Sequence, residues 1–496
     1  MKTRSYFLIV VLFLAGFSLS GKDYAASSFG IKSNGTTLNT TSIQKAIDFI
    51  SENGGGRLVF KVGRYLTGTI VLKDNVTIEL GEGAILVGST NPYDYIFVNG
   101  TYGGGLVTSN GAKNIGITGL GVIEGQGTQT ALNFFEQVTH GYIQDRLANG
   151  RVARRPDLIY LFESKNIRIE GINVNNACNW TLVCERCDSL EINGVTVNSR
   201  AYWNNDGIDI VDCTNTFIHD CFVTASDDGI CLKSHHADYG CDNVVVRHNT
   251  VISSASGIKF GTMGYGGFRN IRIVDNIVYD TFRSAIAIES VDGGMTENIV
   301  VDSLQSYNTA NPIYLVVGSR NGKTSGMRGV RISNVYAEVP AKKMDLGVPY
   351  EGPTLEDEPR NVTPCAIVGL DGNPVSDVTF EHVEIKFPGG GNPAYARVGL
   401  KELDKVPEMP TAYPEFSQFK ELPAWGVFIR HATGIRFNDV KISAETADYR
   451  PAIVLHDVDG GIFTDVEVAA PKLKGTIFSY KSKNIRKIKK QSSFLK

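Results

Sequence analysis

The sequence predicts an all-β parallel β-helix, a solenoid of stacked coils, capped at its N-terminal end by a short helix. The first observation is a β-rich phrase that recurs through the middle of the chain, with successive anchor residues 23, 27, 27, 27 and 28 positions apart. A fixed period of this length is the signature of a solenoid. The anchors, each the second residue of its phrase, are Ile167, Leu190, Phe217, Val244, Ile271 and Ile299.

The second observation is the pattern inside each repeat. Every phrase alternates apolar and polar residues with a period of two, which is typical of a half-buried strand. A second short strand follows in most repeats, as in GIDIVD, GICLKS, GIKFGT and AIAIES. Gly, Asn and Asp turns join these strands without intervening helices. Each period of the chain therefore predicts one coil of two or three parallel strands.

The predicted cap is an amphipathic helix ahead of the repeats. In the stretch TSIQKAIDFISENGGG, apolar residues recur at helical spacing and the glycines at 54–56 end the helix. A solenoid exposes its core at both ends, and such a helix covers one of them. The apolar residues of the predicted helix are Ile43, Ala46, Ile47 and Ile50.

We expect a single β-helix domain over residues 22–480. Two stretches lack the repeat, one near 128–157 and one over 340–428, and the second is rich in Pro and charge. We predict that both are loop insertions, long enough to close one end of a cleft and so to favour exo action. Residues 481–496 are predicted to form a basic, solvated C-terminal tail.

Composition excludes several classes of protein. The chain of 496 residues carries 49 Lys and Arg against 52 Asp and Glu, a formal net charge of −3. This balance excludes the broadly basic surface of a protein that coats nucleic acid, so we expect no nucleic-acid partner. A hydrophobic share of 42% excludes a chain that is mainly disordered.

An export signal is predicted for residues 1–21. Lys2 and Arg4 precede an apolar run from Tyr6 to Phe17, and small residues follow, which is the order of a secretory signal peptide. The run is shorter than the roughly 20 apolar residues that span a bilayer. We therefore expect a protein that is secreted or periplasmic, without a membrane anchor.

The cysteines predict buried thiols or disulfides rather than a metal site. Seven of the eight lie between positions 178 and 241. Export permits disulfides, but their pairing cannot be read from the sequence. The pair Cys184 and Cys187 lacks a second matched pair and a His at zinc spacing, so we expect no bound metal.

Three carboxylates fall on neighbouring coils. The phrase NNDGIDI contains Asp206, and SDDGICLKS contains Asp227 and Asp228, which lie 21 and 22 residues further on. Because one coil has about this length, we expect the three groups to share a patch on coils about 4.8 Å apart. Like charges this close raise at least one pKa, and a raised carboxyl beside an ionised one can cleave a glycosidic bond. Turn-filling Asp residues and a calcium site remain as alternatives.

Strand alternation places lysines beside this patch. If the Ile residues of GIDI, GICL, GIKF and AIAI point inward, their neighbours form outward columns. Lys233 and Lys259 then stand next to the carboxylates, where they would either bind an anionic sugar or neutralise the Asp side chains. One column is Asp209, Cys231, Lys259 and Ala287, and the next is Lys233, Gly261 and Glu289.

At these motifs the chain resembles the family 28 glycoside hydrolases, the polygalacturonase group of pectin-degrading enzymes. NNDGIDI is similar to the N-x-D motif of the family, SDDGICLKS to its paired-Asp motif, and residues 29–89 to its N-terminal region. The resemblance implies a right-handed parallel β-helix and hydrolysis with inversion. It also implies that Asp227 is the general acid and that Asp206 and Asp228 hold and activate the water.

Two motifs depart from the family. Its G-H-G motif falls on Ala255-Ser256-Gly257, and its R-I-K motif falls on Ala287-Ile288-Glu289, so the cations that grip a galacturonate carboxylate are lost. We therefore expect rhamnogalacturonan or another pectic backbone as substrate, unless Lys259 takes over carboxylate binding. His235 follows the paired-Asp strand, as either a cleft residue or a surface loop histidine. The predicted substrate-binding residues are Asn204, Lys233, His235, Ser256, Lys259 and Glu289.

Two other functions fit the same residues. A polysaccharide lyase on this fold would use the three Asp to hold calcium and Lys259 or Lys233 to abstract a proton. A non-catalytic polysaccharide-binding solenoid would bind without turnover. The loop residues Arg151, Arg154 and Arg155 would bind an acidic chain or be solvated. The aligned carboxylates favour a hydrolase. The resemblance implies a plant cell-wall pectic polysaccharide as its substrate, and we expect a monomer without a cofactor.

Overall fold

The chain folds into the parallel β-helix that the repeats predict, as a computed structural model shows. Nearly all regular structure is strand, and each pairing between the strands of the described part is parallel. The structure describes residues 21–489 apart from 99–100, 102, 145–154, 343–362, 396–397, 416–418, 420 and 473–474. The predicted signal peptide, except for its last residue, lies outside these described residues.

The helices are α1 Thr40–Glu52 and α2 Gly127–Thr139, with short 3₁₀ turns at Ala26–Phe29, Pro92–Asp94, Pro393–Tyr395 and Leu403–Lys405. The strands are β1 Asp23–Ala25, β2 Gly56–Phe60, β3 Gly63–Thr67, β4 Ile70–Leu72, β5 Val76–Leu80, β6 Ala84–Gly88, β7 Gly105–Asn110, β8 Lys113–Gly119, β9 Val122–Glu124, β10 Asp157–Phe162, β11 Lys165–Glu170, β12 Asn173–Asn175, β13 Leu182–Glu185, β14 Asp188–Asn193, β15 Thr196–Ser199, β16 Ile208–Val211, β17 Thr214–His219, β18 Phe222–Ala225, β19 Ile230–Ser234, β20 Cys241–Arg247, β21 Thr250–Ser253, β22 Ile258–Gly264, β23 Phe268–Val274, β24 Ile277–Ser290, β25 Met295–Asp302, β26 Gln305–Val317, β27 Gly326–Glu338, β28 Cys365–Val368, β29 Val375–Phe387, β30 Val427–Ala444, β31 Ile453–Ala469, β32 Ile477–Tyr480 and β33 Lys483–Ile488.

Each coil contributes strands to three faces of the solenoid. The first face contains β13, β16, β19 and β22 in parallel order, and it continues through β24, β26, β28 and β30. The second face contains β14, β17, β20 and β23, and the third contains β15, β18 and β21. From β24 onward, single long strands bend from one face to the next. The first face carries the carboxylates that the sequence singled out.

The predicted alternation holds for the core, except at one anchor. Val244, Ile271 and Ile299 stack in one buried column on the second face, as expected. Phe217 is out of phase, because Thr216 occupies the column between Leu190 and Val244. The Phe217 ring lies outside the core and stacks on His219 at a centroid distance of 4.0 Å. The prediction for Phe217 was wrong by one position along the strand. In a strand, a shift of one residue moves a side chain from the inner to the outer side.

Asn residues play two structural roles, one in the turns between strands and one in linking neighbouring coils. Several phrases begin with an Asn of positive φ, such as Asn270 at 55° and Asn298 at 57°, a left-handed conformation that Asn adopts more readily than most residues. A second set is fully buried and links coils through side-chain amides. The Nδ2 of Asn249 donates to Oδ1 of Asn276 at 3.0 Å, and Nδ2 of Asn276 donates to the carbonyl of Val246 at 2.9 Å.

The helices confirm the cap and correct one insertion. Helix α1 buries Ile43, Ala46, Ile47 and Ile50, the four residues predicted to face the core. The stretch near 128–157, predicted as a loop insertion, opens with α2, which buries Ala131 and Phe134. The apolar residues of α2 recur at helical spacing, but only within one short stretch. Because the residues around it do not repeat, the stretch was predicted to be a loop.

The second insertion and the tail also contain ladder strands. Strands β28 and β29 lie within 340–428, the predicted loop insertion, and they pair with β26, β27 and β30. Strand β33, within the predicted tail 481–496, pairs with β31. In both stretches Pro and charged residues flank the strands and obscure the alternation. The solenoid core therefore extends further than the repeat spacing indicates.

The cysteines are thiols in this structure. All eight are buried and unpaired, which agrees with the expectation of core cysteines and shows no disulfide between them. Among the described residues, no helix is long and apolar enough to cross a membrane.

The buried Asn ladder should contribute to stability. We expect Asn276→Ala to lower the free energy of unfolding by about 1–3 kcal/mol, because the mutation removes the acceptor of the buried backbone N–H of Asn249 and the side-chain donor to the carbonyl of Val246. Asn198→Ala, at an exposed position on β15, is the matched control and should change stability little. Urea denaturation measures both variants, and equal destabilisation of the two would contradict this role of the ladder.

Candidate active site

The Asp residues of the two phrases lie on adjacent coils of the first face, as predicted. Asp206 precedes β16, and Asp227 and Asp228 precede β19 at the same position of the next coil. Backbone hydrogen bonds fix this alignment. The N–H of Gly207 donates to the carbonyl of Asp228 at 2.9 Å, and the N–H of Asp227 donates to the carbonyl of Asn205 at 3.3 Å.

The glycine after each Asp is required by the close approach of the coils. A Cβ atom on Gly207 would lie 2.5 Å from the carbonyl oxygen of Gly229 and 2.4 Å from Cγ1 of Val223. Real Cβ atoms do not approach other heavy atoms this closely. The D-G sequence in both phrases therefore places a carboxylate at the edge of the face and lets the next residue enter the stacked strand.

Lys233 is a buried counter-ion beneath the first Asp. Its Nζ lies 2.8 Å from Oδ2 of Asp206, 2.7 Å from Oδ1 of Asp209 and 2.9 Å from Sγ of Cys231. The ammonium also lies 4.6 Å from the ring centroid of Trp180, which is partly exposed. Of the two roles left open by the sequence, neutralisation of the carboxylates is the one that these contacts support.

Lys259 plays the same part beneath the paired Asp. It lies in one column with Asp209 and Cys231, as the alternation predicts, and its side chain is fully buried. Its Nζ is 3.2 Å from Oδ2 of Asp228 and 3.7 Å from Oε2 of Glu289. The ammonium is thus held among carboxylates of the protein itself.

Three further residues of this cluster had no signal in the sequence. Glu415 places Oε1 at 3.2 Å from Nζ of Lys259 and at 2.5 Å from Nη1 of Arg283, which is also buried. The hydroxyl of Tyr413 lies 3.5 Å from the same Lys259 ammonium. Glu415 and Tyr413 come from the insertion without repeats, and Arg283 lies in the bend of β24, so no spacing rule placed them here.

The two residues that replace family cations both lie beneath the surface. Ser256 is buried, and its backbone N–H donates to Oδ1 of Asp228 at 3.2 Å. Glu289 is buried, which raises its pKa well above the ordinary value despite the nearby Lys259. Their predicted contact with substrate stays a prediction, and the contacts in the structure are to other residues of the site.

Asn204 and His235 lie at the rim of the site. Asn204 has a φ of 56° and its Nδ2 donates to Oδ2 of Asp227 at 3.4 Å, so it lies beside the most accessible carboxylate. His235 is partly exposed, with Nδ1 at 3.1 Å from Oε1 of Glu185 and its ring 6.3 Å from that of Trp180. The contacts of both residues are to other side chains of the protein, and their predicted role in substrate binding stays a prediction.

Arg155 is a positioning residue rather than a solvated loop cation. It is fully buried, and it donates from Nε to the carbonyl of Cys178 and from Nη2 to the carbonyl of Trp203 at 2.7 Å. Its guanidinium also lies 4.9 Å from the ring centroid of Tyr202. These contacts support the turn that carries Asn204. The neighbouring candidates at positions 151 and 154 fall outside the described residues.

The environment separates the pKa values of the paired Asp residues. Burial raises the pKa of Asp227 to about 6, and the charge of Asp228 adds to this shift. Burial alone would also raise the pKa of Asp228, but Lys259, Lys233 and Arg283 outweigh it and hold that pKa below the ordinary value. One carboxyl is therefore suited to donate a proton and its neighbour to accept one.

The calcium alternative conflicts with the position of Lys233. Oxygen or sulfur atoms of Asp206, Asp228 and Cys231 all lie within 4.8 Å of one another, which is close enough to share a cation. The Lys233 ammonium already contacts two of these three residues. Burial alone would lower the pKa of Lys233, but Asp206 and Asp209 raise it well above the ordinary value, so the group remains charged. The cation that this patch holds is therefore a lysine.

Comparison with known proteins gives one family. The sequence model described as glycosyl hydrolases family 28 matches residues 62–344, more than half of the chain. A probable polygalacturonase of Vitis vinifera is 29% identical over 57% of this chain and 61% of its own length. An endo-polygalacturonase of Pectobacterium parmentieri is 24% identical over 72% of this chain and 80% of its own length.

A solved structure agrees on the fold. The family 28 exopolygalacturonase of Yersinia enterocolitica superposes with a TM-score of 0.60 at 21% identity, covering 95% of this chain and 79% of that one. The fold is therefore a right-handed parallel β-helix, as the resemblance implied. The chain spans about three fifths of the length of the Vitis vinifera relative.

The separation of the two pKa values can be measured directly. We expect an infrared carboxyl band of the wild type, absent in Asp227→Asn, to titrate with a midpoint near pH 6. In Asp228→Asn the midpoint should fall, because removing the neighbouring negative charge makes ionisation of Asp227 easier. Titration of the wild-type band in the ordinary aspartate range of about 3.9 would contradict this assignment.

Proposed function

The chain belongs to glycosyl hydrolases family 28, and from this membership we propose that it hydrolyses a pectic polysaccharide with Asp227 as general acid. The observation that carries this proposal is the pair Asp227 and Asp228, adjacent in sequence and opposite in the direction of their pKa shifts. Glycoside hydrolysis requires one carboxyl that is protonated and another that is ionised at the same pH.

The proposed reaction gives each of the three carboxyl groups a separate role. Asp227, the most accessible of the three, donates its proton to the oxygen of the leaving sugar as the glycosidic bond breaks. Asp228 removes a proton from the attacking water, which Asp206 orients from the neighbouring coil. The water oxygen then bonds to the anomeric carbon from the opposite side, and the product has the inverted configuration. After turnover, Asp228 releases its proton and Asp227 regains one from solvent.

The charges around the site favour a neutral sugar next to the cleaved bond. Lys259 and Arg283 are both already bound by Glu415, and Lys259 also by Asp228. A galacturonate carboxylate at this position would have to displace Glu415 and would lie close to further carboxyl groups. We therefore propose a backbone that contains neutral residues, of the rhamnogalacturonan type, in preference to plain polygalacturonate.

The lyase alternative is weaker on electrostatic grounds. A lysine that abstracts a proton must first lose its own, which requires a lowered pKa. Burial alone would lower the pKa of Lys259, but Asp228, Glu289 and Glu415 outweigh it and raise the pKa well above the ordinary value. The same balance applies to Lys233. Both groups therefore remain protonated and serve as counter-ions.

We also propose that the protein is exported and acts as a monomer on plant cell-wall material. The support for export is the charged, apolar and small-residue order of residues 1–21. Mass spectrometry of the mature N-terminus should find it close to residue 22, and light scattering should give the mass of one chain. An intact N-terminus or a stable dimer would contradict these two points.

Product analysis tests the reaction and the substrate together. We expect saturated oligosaccharides from rhamnogalacturonan backbone and much slower release from polygalacturonate. Lys259 is already bound by Asp228 and Glu415, so it offers no free cation to the carboxylate of a galacturonate. Asp227→Asn should lower the rate about 10²–10⁴-fold because the leaving oxygen is no longer protonated.

The exposed Asp238 offers a matched control, and Asp238→Asn should leave the rate unchanged. Unsaturated, ultraviolet-absorbing products would indicate a lyase. Full activity of Asp227→Asn would remove the proposed general acid.

The dependence of rate on pH follows from the same pair. Asp227 must be protonated to act, so kcat/KM should fall tenfold for each pH unit above about 6. Asp228 must be ionised, and its lowered pKa should preserve activity down to a pH below the ordinary aspartate range. A steady-state profile with the favoured substrate measures both limbs, and a rate that rises between pH 6 and 8 would contradict the assignment.

A further inference from the structure

The first face of the solenoid does not remain open beyond the carboxylates. One segment of the second insertion, here called the strap and comprising the described part of residues 403–425, lies across it. The strap begins with the turn Leu403–Lys405 and leads into β30, so both of its ends are tied to structured parts of the chain. Its position decides where a bound polysaccharide can run.

The strap is packed onto the face by an apolar cluster. Outward side chains of five successive strands form one column that continues directly from Lys259, and they are buried beneath the strap. Burial of this many apolar groups makes the strap a fixed part of the fold rather than a loose flap. The column is Ala287, Tyr314, Ala366, Phe428 and Val454, and the strap residues that cover it include Leu403, Val406, Phe419 and Leu422.

Ionic contacts fix the edge of the strap that is closest to the carboxylates. Glu415 binds both Lys259 and Arg283 through its carboxylate, and its backbone carbonyl accepts a hydrogen bond from the hydroxyl of Tyr314 at 3.2 Å. These partners all lie on strands of the solenoid. The edge of the strap is therefore held directly beside Asp228.

Tyr413 forms the wall at this edge. Its ring centroid is 5.4 Å from Nζ of Lys259, which itself contacts Asp228, and the residue is 47% exposed. On the opposite side of the carboxylates, the partly exposed ring of Trp180 lies over Lys233. Lys233 lies on β19 and Lys259 on the paired strand β22, so the two rings flank the carboxylates from neighbouring strands. The face is covered by the strap only on the Tyr413 side.

We propose that the enzyme acts at chain ends, with the terminal sugar of the polysaccharide seated against Tyr413 and the bond to be cleaved above Asp227 and Asp228. A chain cannot continue past Tyr413, because the strap is packed on the next five strands. This inference rests on the proposed function and adds to it the mode of cleavage and a specificity-determining residue. The names of the compared relatives include both endo and exo enzymes, so they do not decide the mode.

The time course of product sizes tests this directly. Rhamnogalacturonan and polygalacturonate polymers are incubated separately with the enzyme, and products are separated by size while solution viscosity is followed. We expect one product of fixed small size from the earliest time point. The viscosity should stay almost unchanged while the first tenth of that product is released. An early ladder of intermediate sizes with a rapid fall in viscosity would overturn the proposal of chain-end action and leave the hydrolase assignment intact. Absence of any cleavage would overturn both.

A variant of the wall gives a second, independent readout. Tyr413→Ala should raise KM for short oligosaccharides about three- to tenfold while kcat changes less, because a contact to the terminal sugar is lost and the Asp pair is untouched. Tyr307→Ala, on the third face, is the matched control and should leave both constants unchanged. Melting curves verify that both variants fold. An unchanged KM in the folded Tyr413→Ala variant would overturn the role of Tyr413.

Discussion

Parallel stacking in register is the constraint on which the rest of this protein depends. Each coil repeats the position of the one before it, so residues that are 21 or 22 positions apart in sequence become neighbours across hydrogen-bonded strands. That arrangement brings Asp206 to the same edge as Asp227 and Asp228, at backbone contacts of about 3 Å. Because the ladder supplies the alignment, the local chain needs only a carboxylate followed by a glycine at the edge of the face.

Burying so many carboxylates in one place requires compensation, and two lysines provide it. Lys233 binds Asp206 and Asp209, and Lys259 binds Asp228 together with Glu415. Removing either lysine would leave buried charges without partners, which is strongly destabilising. The same contacts have a consequence for recognition. Cations that are held by the protein's own carboxylates are not available to a charged sugar, and this is the basis of the proposed preference for a neutral sugar at the site.

Much of the site could be predicted from the sequence, because it follows the period of the solenoid. The alignment of the Asp residues and the column of Asp209, Cys231 and Lys259 need only a coil length and the alternation of a strand. Glu415 and Tyr413 were out of reach, since they approach Lys259 from an insertion that obeys no period. The role of Arg155 was missed for a related reason: its basic sequence neighbours suggest solvent, while its burial depends on the turn of a different coil.

The central claim is that the three carboxylates hydrolyse a glycosidic bond by direct attack of water. Proton NMR of the first product, recorded before the sugar equilibrates in solution, tests it most directly. The account predicts that the new reducing end appears with the anomeric configuration opposite to that of the cleaved linkage. A first product with the retained configuration would require a covalent intermediate on one of these Asp residues and would contradict the roles assigned to Asp206 and Asp228.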